Sequence, residues 1–322
     1  MHNIMNNEAM FYVGETPWHG LGTELNIPPS TEEALVQAGL DWQVHKSETY
    51  VINGETRPTG YHCTYRYDKN GKFLPLGNVS EKYEVLQNLE AFQPFDEVLL
   101  EKGYTYETAG ALGDGEKIWI LAKRPNVDSI NTDELQSYML LYNSHDGSSG
   151  IVIRPTVVRV VCQNTLDFSL DSKGTKLTIK HTTNARERLD DFTEVLRANE
   201  GDIDTAITIM RDFYITKLDK SQVVEYFETI FPAIKHRNAL SINPLTGRKS
   251  PNFSKPQFER LMHNYVYGKG NNGRTMYDAY NAVTEYVDHC KNYNNRMKSI
   301  GFGWGYKTKK LAFDVAKEMV LN

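Results

Sequence analysis

The sequence predicts an α+β protein: an antiparallel β-sheet body packed by helices, followed by a helical, basic C-terminal region. Two patterns lead to this prediction. The middle third of the chain contains apolar and β-branched runs separated by short turn segments, which is typical of strands. From about Asn184 the apolar residues instead recur at the spacing of an amphipathic helix. We therefore expect an α+β body over residues 1–183 and a helical region over residues 184–322.

The connections within the body are short, which favours antiparallel pairing of its strands. Asn53-Gly54 and Gly113-Asp114-Gly115 each predict a hairpin between the runs that flank them. One short helix is expected after Ser30, and another from about Asn88 to Lys102, where Pro94 strains the first half. Strands are predicted at residues 42–45, 48–52, 61–67, 104–112, 117–123, 138–142, 151–154, 156–161 and 176–181.

The second part of the chain is predicted to be a series of helices joined by flexible segments. Residues 238–255 are rich in Asn, Pro, Ser and Gly, which predicts a loop or a hinge. The glycine-rich residues 268–273 predict another flexible stretch. Helices are predicted at residues 185–199, 203–217, 221–230, 275–292 and 308–320.

The composition excludes several classes of protein. Of the 322 residues, 40% are hydrophobic and 24% are charged, which is typical of a globular protein and not of a coiled coil, a collagen or a disordered chain. No run approaches the roughly 18 apolar residues of a membrane span. The first ten residues are polar and lack the apolar core of a signal peptide. Three widely spaced cysteines, Cys63, Cys162 and Cys290, suit a reducing compartment, so we expect a soluble cytoplasmic protein without a membrane contact.

The net charge of -5 hides an uneven distribution along the chain. From Ala233 to Asn322 there are 15 Lys and Arg against 6 Asp and Glu, which leaves 21 against 35 in residues 1–232. A basic segment attached to an acidic body favours a partner that is a polyanion. The alternative is that the two parts neutralise each other within the fold.

Aromatic residues are interleaved with these C-terminal cations, most densely from Gly301 to Lys310. Cations neutralise phosphates, and aromatic rings stack on unpaired bases, so the pattern favours single-stranded nucleic acid. The alternative is that the rings cover a hydrophobic core. Together with cations of the predicted strands and their ends, the expected contacts are Arg154, Arg159, Lys180, Arg186, Arg274, Arg296, Lys298, Trp304, Tyr306, Lys307, Lys309 and Lys310.

Two further motifs point less specifically to a function. Cys162 follows the strand that carries Arg159, and we expect it to be a small buried residue because no nucleophile motif surrounds it. Residues 180–186 connect a strand to a helix and are polar, which suits either an anion at the helix N-terminus or an ordinary capping loop.

A metal site is the enzymatic alternative. On a regular helix Asn281, Glu285, Asp288 and His289 share one face, and carboxylates with an imidazole at this spacing are able to bind a metal ion. His19 and His181 are further possible ligands. Such a site would make the protein a metal-dependent hydrolase or nuclease. A polar face that hydrogen-bonds to neighbouring elements is the alternative, and we expect no cofactor.

Four stretches of the sequence resemble a known family when they are taken together and in order. They are residues 16–22, residues 79–92, residues 159–166 with His181-Thr182 and Arg186, and residues 281–289. Their pattern resembles that of the phage- and plasmid-like proteins built on the domain of unknown function 932. Tyr277 stands where the resemblance leads us to expect a tryptophan, so an aromatic ring is kept. The resemblance implies cargo of mobile genetic elements and implies no settled activity.

The hypothesis that follows is a phage- or plasmid-encoded DNA-binding protein that favours single strands and promotes annealing or recombination, as a homo-oligomer if many subunits track one strand. A third class stays open beside the metal-dependent enzyme. A protein that binds a host defence factor, with its acidic body imitating DNA, also fits the charge distribution.

Overall fold

The computed structural model of the chain describes residues 10–14, 22–159, 164–166, 177–236, 240–242, 249–251, 254–290 and 303–321. The α+β class is confirmed: a mostly antiparallel sheet body is followed by a helical C-terminal region. The strands are β1 (Met10–Val13), β2 (Thr23–Leu25), β3 (His45–Asn53), β4 (Glu55–Tyr67), β5 (Phe73–Val79), β6 (Thr105–Leu112), β7 (Lys117–Ile130), β8 (Asp133–Ser144), β9 (Ile151–Arg159), β10 (Asn164–Leu166), β11 (Leu177–Ile179), β12 (Leu240–Ile242) and β13 (Lys249–Pro251). The helices are α1 (Thr31–Gln37), α2 (Asn88–Phe92), α3 (Asp96–Glu101), α4 (Glu187–Ile215), α5 (Lys220–Ile230), α6 (Ser254–Tyr267), α7 (Met276–Glu285) and α8 (Trp304–Leu321).

The main sheet has the strand order β10-β9-β8-β7-β6-β1-β2, and β11 also pairs with β9. All of these pairs are antiparallel except β1 with β2. A second sheet has the order β3-β4-β5, and β12 pairs with β13 in a small hairpin. The expectation of antiparallel pairing is thus confirmed for the body.

Strand β9 runs through Pro155, although the sequence predicts two separate strands there. On one side, β9 pairs with β8 from Arg159 to Val152. On the other side, β11 pairs with residues 151–153 and β10 with residues 157–159. Pro155 lies between these two short partners, so neither of them pairs with it.

The faces of the main sheet are buried in different cores. Ile118, Ile120 and Leu141 share a core with residues of α1, α2 and α3, among them Leu35 and Phe92. The alternate residues form a smaller core on the other face, which contains Trp119, Leu140, Tyr142 and Val152. Adjacent residues of these strands point to opposite faces, so both faces of the main sheet are buried.

A third core joins the helices to the sheet. It contains Phe213 of α4, Tyr226 of α5, Tyr280 of α7 and Phe313 of α8, and it includes Ile130, Leu135 and Val157 from the main sheet. No helix within the described ranges is both long and apolar enough to cross a membrane. The division at residue 183 remains a prediction.

Several predicted helix boundaries were wrong. Residues 187–215 form the single helix α4, which continues through Gly201, where a side chain would meet open space. Pro94 lies in a 3₁₀ turn, Gln93–Phe95, that separates α2 from α3. Helix α6 begins at the end of the segment predicted to be a loop, and β12 and β13 lie within that segment. The last helix begins at Trp304, four residues earlier than predicted.

Candidate nucleic-acid interface

Helix α8 carries two of the predicted contact residues into an open groove. The Trp304 side chain is 40% exposed, and its ring centroid lies 6.2 Å from that of Phe231. Lys307 follows one turn later and is exposed. The groove has a volume of about 460 Å³. It is lined by Ile230, Phe231, Pro232, Ala233, Gln257, Trp304, Lys307, Thr308 and Leu311.

The expectation that Lys309 faces outward is wrong. Its side chain is fully buried, and its Nζ donates a 3.0 Å hydrogen bond to Oδ1 of Asp288, which is 3% exposed. Residue 309 lies on the side of α8 that packs against α7 and against the turn after α7, which carries Asp288. Lys310, the next residue, is partly exposed. Lys309 therefore contributes to the fold and is not placed to contact a phosphate.

Arg154 also differs from its expected exposed position. It is 6% exposed and lies on the same face of β9 as Val152. Its guanidinium carbon is 3.9 Å from the centroid of the Tyr306 ring. This cation–π contact joins the main sheet to α8. Arg154 and Tyr306 therefore hold the helix that bears Trp304 against the body.

The other predicted cations are scattered. Lys180 and Arg274 are exposed. Arg186 is about half exposed, and its guanidinium lies 3.2 Å from the Glu90 carboxylate and 3.3 Å from the Val85 carbonyl. Arg159 is the last residue of β9, opposite Leu135 of β8. Arg296, Lys298, Cys162 and His19 lie outside the described residues.

The predicted metal-binding face does not form on α7. A π-helical turn, Tyr286–Cys290, follows Glu285 and changes the angular spacing that the prediction assumed. Asn281 and Asp288 are buried, whereas His289 is exposed. The Asn281 amide donates to the Tyr277 carbonyl, and Asp288 pairs with Lys309. Within the described ranges no group of three or more His, Cys, Asp or Glu side chains is arranged to hold a metal ion.

A buried polar centre joins three stretches that are far apart in sequence. The ring of Tyr83 stacks on that of His181 at 4.6 Å, and Nδ1 of His181 lies 3.0 Å from the Glu84 carbonyl. Nε2 of His181 lies 2.9 Å from Oδ1 of Asn143. Helix α2 supplies Asn88, whose Oδ1 lies 2.8 Å from Nε2 of His145. These contacts bring residues 83–88 against the end of β8 and the residues after β11.

Burial disfavours the charged form of both histidines of this centre. Burial removes water from the rings and lowers the pKa of His145 to about 3 and that of His181 to about 4. Asn88 accepts through Oδ1, so the proton of His145 lies on Nε2. Its Nδ1 is buried and has no hydrogen-bond partner in the described part of the chain. The centre is thus a packed junction rather than a site open to a ligand.

The loop after β8 leads from this centre to the surface. Oγ of Ser144 lies 2.5 Å from Oδ1 of Asp146, and Nζ of the buried Lys117 lies 2.5 Å from Oγ of Ser148 and 3.4 Å from Oδ2 of Asp146. Burial alone would raise the pKa of Asp146, but the serine hydrogen bonds and the Lys117 charge outweigh it and lower that pKa. The Lys117 ammonium therefore forms a largely buried ion pair with the Asp146 carboxylate.

A glycine of β5 lets this loop pack closely. A Cβ atom on Gly77 would lie 2.5 Å from Cα of Asp146. We expect Gly77→Ala to lower the free energy of unfolding by about 1–3 kcal/mol, measured by urea unfolding. Gly201→Ala is the control, because open space surrounds Gly201 in α4 and alanine favours the helix. Equal stability of Gly77→Ala and the parent chain would contradict the close packing.

Four aromatic rings form a second exposed feature, on the three-stranded sheet. We call His45, Tyr65, Tyr67 and Phe73 the ring cluster. Its centroids are 5.3 Å apart for His45 and Tyr65, 4.9 Å for Tyr65 and Phe73, and 6.3 Å for Tyr67 and Phe73. Tyr67 is 49% exposed and Phe73 is 50% exposed. The sequence prediction did not identify this surface, although aromatic and polar residues alternate from Tyr61 to Tyr67.

A family model matches residues 75–313, about three quarters of the chain. The chain belongs to the family described as "Domain of unknown function (DUF932)". The DUF932 region begins within β5 and ends within α8, so it includes Trp304, Lys307 and both histidines of the buried polar centre. The ring cluster precedes it. No curated protein and no solved structure matches the chain.

Proposed function

We propose that this DUF932 protein binds single-stranded nucleic acid through the groove beside α8. The observation that carries the proposal is an exposed tryptophan, Trp304, in an open groove that also contains the exposed Lys307. An aromatic ring stacks on an unpaired base of any sequence, and an ammonium one turn further along the helix is placed to neutralise the adjoining phosphate. Paired bases present no free face to such a ring, which favours single strands.

The distribution of charge supports the same ligand. Most residues of the groove belong to the basic part of the chain, which has 15 Lys and Arg against 6 Asp and Glu from Ala233 onward. Lys309 and Arg154 are buried, so the surface cations that we assign to the ligand are Lys307, Lys310 and Arg274. The role that fits this chemistry is annealing or recombination of DNA in the cytoplasm, carried by a phage or plasmid. Binding along a strand by several copies of the chain is part of the proposal.

Fluorescence anisotropy with a labelled oligodeoxythymidine tests the proposal across a salt series. We expect Trp304→Ala to raise Kd about five- to a hundredfold, the range of one base stack. We expect Lys307→Ala to reduce the slope of log K on log salt by about 0.7, because one phosphate contact is lost. Duplex DNA of the same length should bind more weakly than the single strand.

Lys220→Ala is the matched control, because Lys220 is exposed and begins α5, whereas Ile230 at the other end of α5 lines the groove. It should leave Kd nearly unchanged. Failure of the parent protein to bind any oligonucleotide at low salt would refute the proposed function. Binding that neither the Trp304 nor the Lys307 variant weakens would show that the groove is not the site.

A further inference from the structure

The ring cluster lies on the open face of a sheet whose other face is fixed to the body. Thr64 and Arg66 of β4 point inward: Oγ1 of Thr64 donates to the His145 carbonyl at 2.6 Å, and Nε of Arg66 donates to the Asp114 carbonyl at 2.6 Å. The Arg66 guanidinium also lies 4.7 Å from the Trp42 ring. Because side chains alternate along a strand, Tyr65 and Tyr67 point away from the body. The rings therefore stand on a rigid support.

The rings are arranged across all three strands. His45 of β3 lies opposite Tyr65 of β4, and Tyr67 of β4 lies opposite Phe73 of β5. His45, Tyr67 and Phe73 are exposed, and Tyr65 is partly exposed. A sheet that displays adjacent rings from neighbouring strands is the arrangement with which proteins stack two or three unpaired bases. About half of the surface of Tyr67 and of Phe73 is exposed and is therefore available to contact a planar base.

Positive charge lies next to the rings. Tyr67 and Phe73 flank the turn that contains Lys69 and Lys72, both exposed. The acid of this turn, Asp68, has its Oδ1 engaged by the backbone N–H groups of Asn70 and Lys72, each at 2.8 Å. From His45 to Val79 there are five Lys and Arg against three Asp and Glu, within a part of the chain that is otherwise acidic. The turn is thus suited to contact phosphates beside the stacked bases.

We propose that the ring cluster is a second contact surface for single-stranded nucleic acid, where Tyr67 and Phe73 stack on bases and Lys69 and Lys72 contact the phosphates between them. The inference rests on the proposed function and adds a surface that lies outside the DUF932 region. The proposal predicts that binding at this surface requires bases as well as phosphates.

The test compares a labelled oligodeoxythymidine with an abasic oligonucleotide of the same length, by anisotropy. For Tyr67→Ala/Phe73→Ala we expect the Kd for oligodeoxythymidine to rise about tenfold or more, while the Kd for the abasic strand stays within about twofold. For Lys69→Ala/Lys72→Ala the slope of log K on log salt should fall by about 1.4 for both strands. Photocrosslinking of a 5-bromodeoxyuridine strand should label a peptide that contains Tyr67 or Phe73.

Ile52→Ala is the matched control, since Ile52 is 81% exposed on the same sheet but is not part of the ring cluster. It should leave both affinities unchanged. If the alanine pair fails to fold, Tyr67→Leu/Phe73→Leu keeps the apolar area and still removes both rings, so the same loss is expected.

The outcomes separate this inference from the proposed function. If the parent chain binds oligodeoxythymidine and the ring variants bind it equally well, the inference is wrong and the proposed function stands. If the parent chain binds no strand, the proposed function fails and this inference fails with it. If the ring variants change only the mass of the protein in solution, a second copy of the chain covers the ring cluster and the inference is overturned.

Discussion

Replacing Lys309 by methionine should lower the free energy of unfolding by about 3–5 kcal/mol. The substitution keeps the length of the side chain but leaves the carboxylate of Asp288 buried without its ammonium partner, 3.0 Å away in the parent structure. A buried charge that has lost its counter-ion is far less favourable than one in water, and the unfolded state relieves it. Urea unfolding measures the loss as a lower midpoint.

Two further variants test whether the loss of stability comes from the ion pair between Lys309 and Asp288. Lys307→Met changes the same residue type on the exposed side of the same helix and should alter stability by no more than about 0.5 kcal/mol. Lys309→Met/Asp288→Leu removes both charges and should recover most of the loss, because an apolar pair of similar volume often replaces a buried ion pair without penalty. A single Lys309→Met variant as stable as the parent would show that the pair is not buried.

The second large effect is a loss of stability in mild acid. His145 and His181 have pKa values of about 3 and about 4 in the folded protein, below the value of 6.5 for an exposed histidine. Between these values and 6.5 the unfolded state binds more protons than the folded state, so stability falls as the pH decreases from about 6.5. At pH 5 the free energy of unfolding should be about 4 kcal/mol lower than at pH 7.5, about half from each histidine.

Urea unfolding at pH 7.5, 6.5, 5.5 and 5 measures this dependence. The contribution of Asp146, whose folded pKa is lowered, is lost only as the pH falls below the ordinary range of a carboxylate, so it leaves this window unaffected. In His181→Gln the dependence should be about half as steep, because one of the two buried rings is gone. A stability that is constant from pH 7.5 to pH 5 would contradict the burial of both rings.

The fold class and the strands of the body follow from local patterns, whereas helix boundaries depend on packing. The apolar runs of β7 and β8 and the hairpin turns are visible in the sequence, and the runs are continuous because both faces of these strands are buried. The continuity of α4 through Gly201 is not visible, since a glycine ordinarily weakens a helix and only contacts with the rest of the molecule hold it. The continuity of β9 through Pro155 is likewise not visible in the sequence, because it depends on the pairing of β9 with its neighbouring strands.

The candidate site was predicted in part. Trp304 and Lys307 do lie at the surface, as the pattern of rings and cations indicated. The burial of Lys309 depends on Asp288, which a different helical segment brings to it, and no local pattern contains that information. The ring cluster was missed because its rings come from three strands, and their meeting depends on the register of β3, β4 and β5.

The length of α4 affects how the molecule unfolds. At 29 residues this helix is about 43 Å long, and it touches α3, β7, β9 and β11 as well as α7 and α8. Ile130, Leu135 and Val157 of the main sheet belong to the same core as the helices that follow. Unfolding of either the sheet or the helices would therefore expose apolar surface of the other to water. Heat should therefore disrupt both parts in one cooperative transition, and a fragment that starts at residue 184 should aggregate when produced alone.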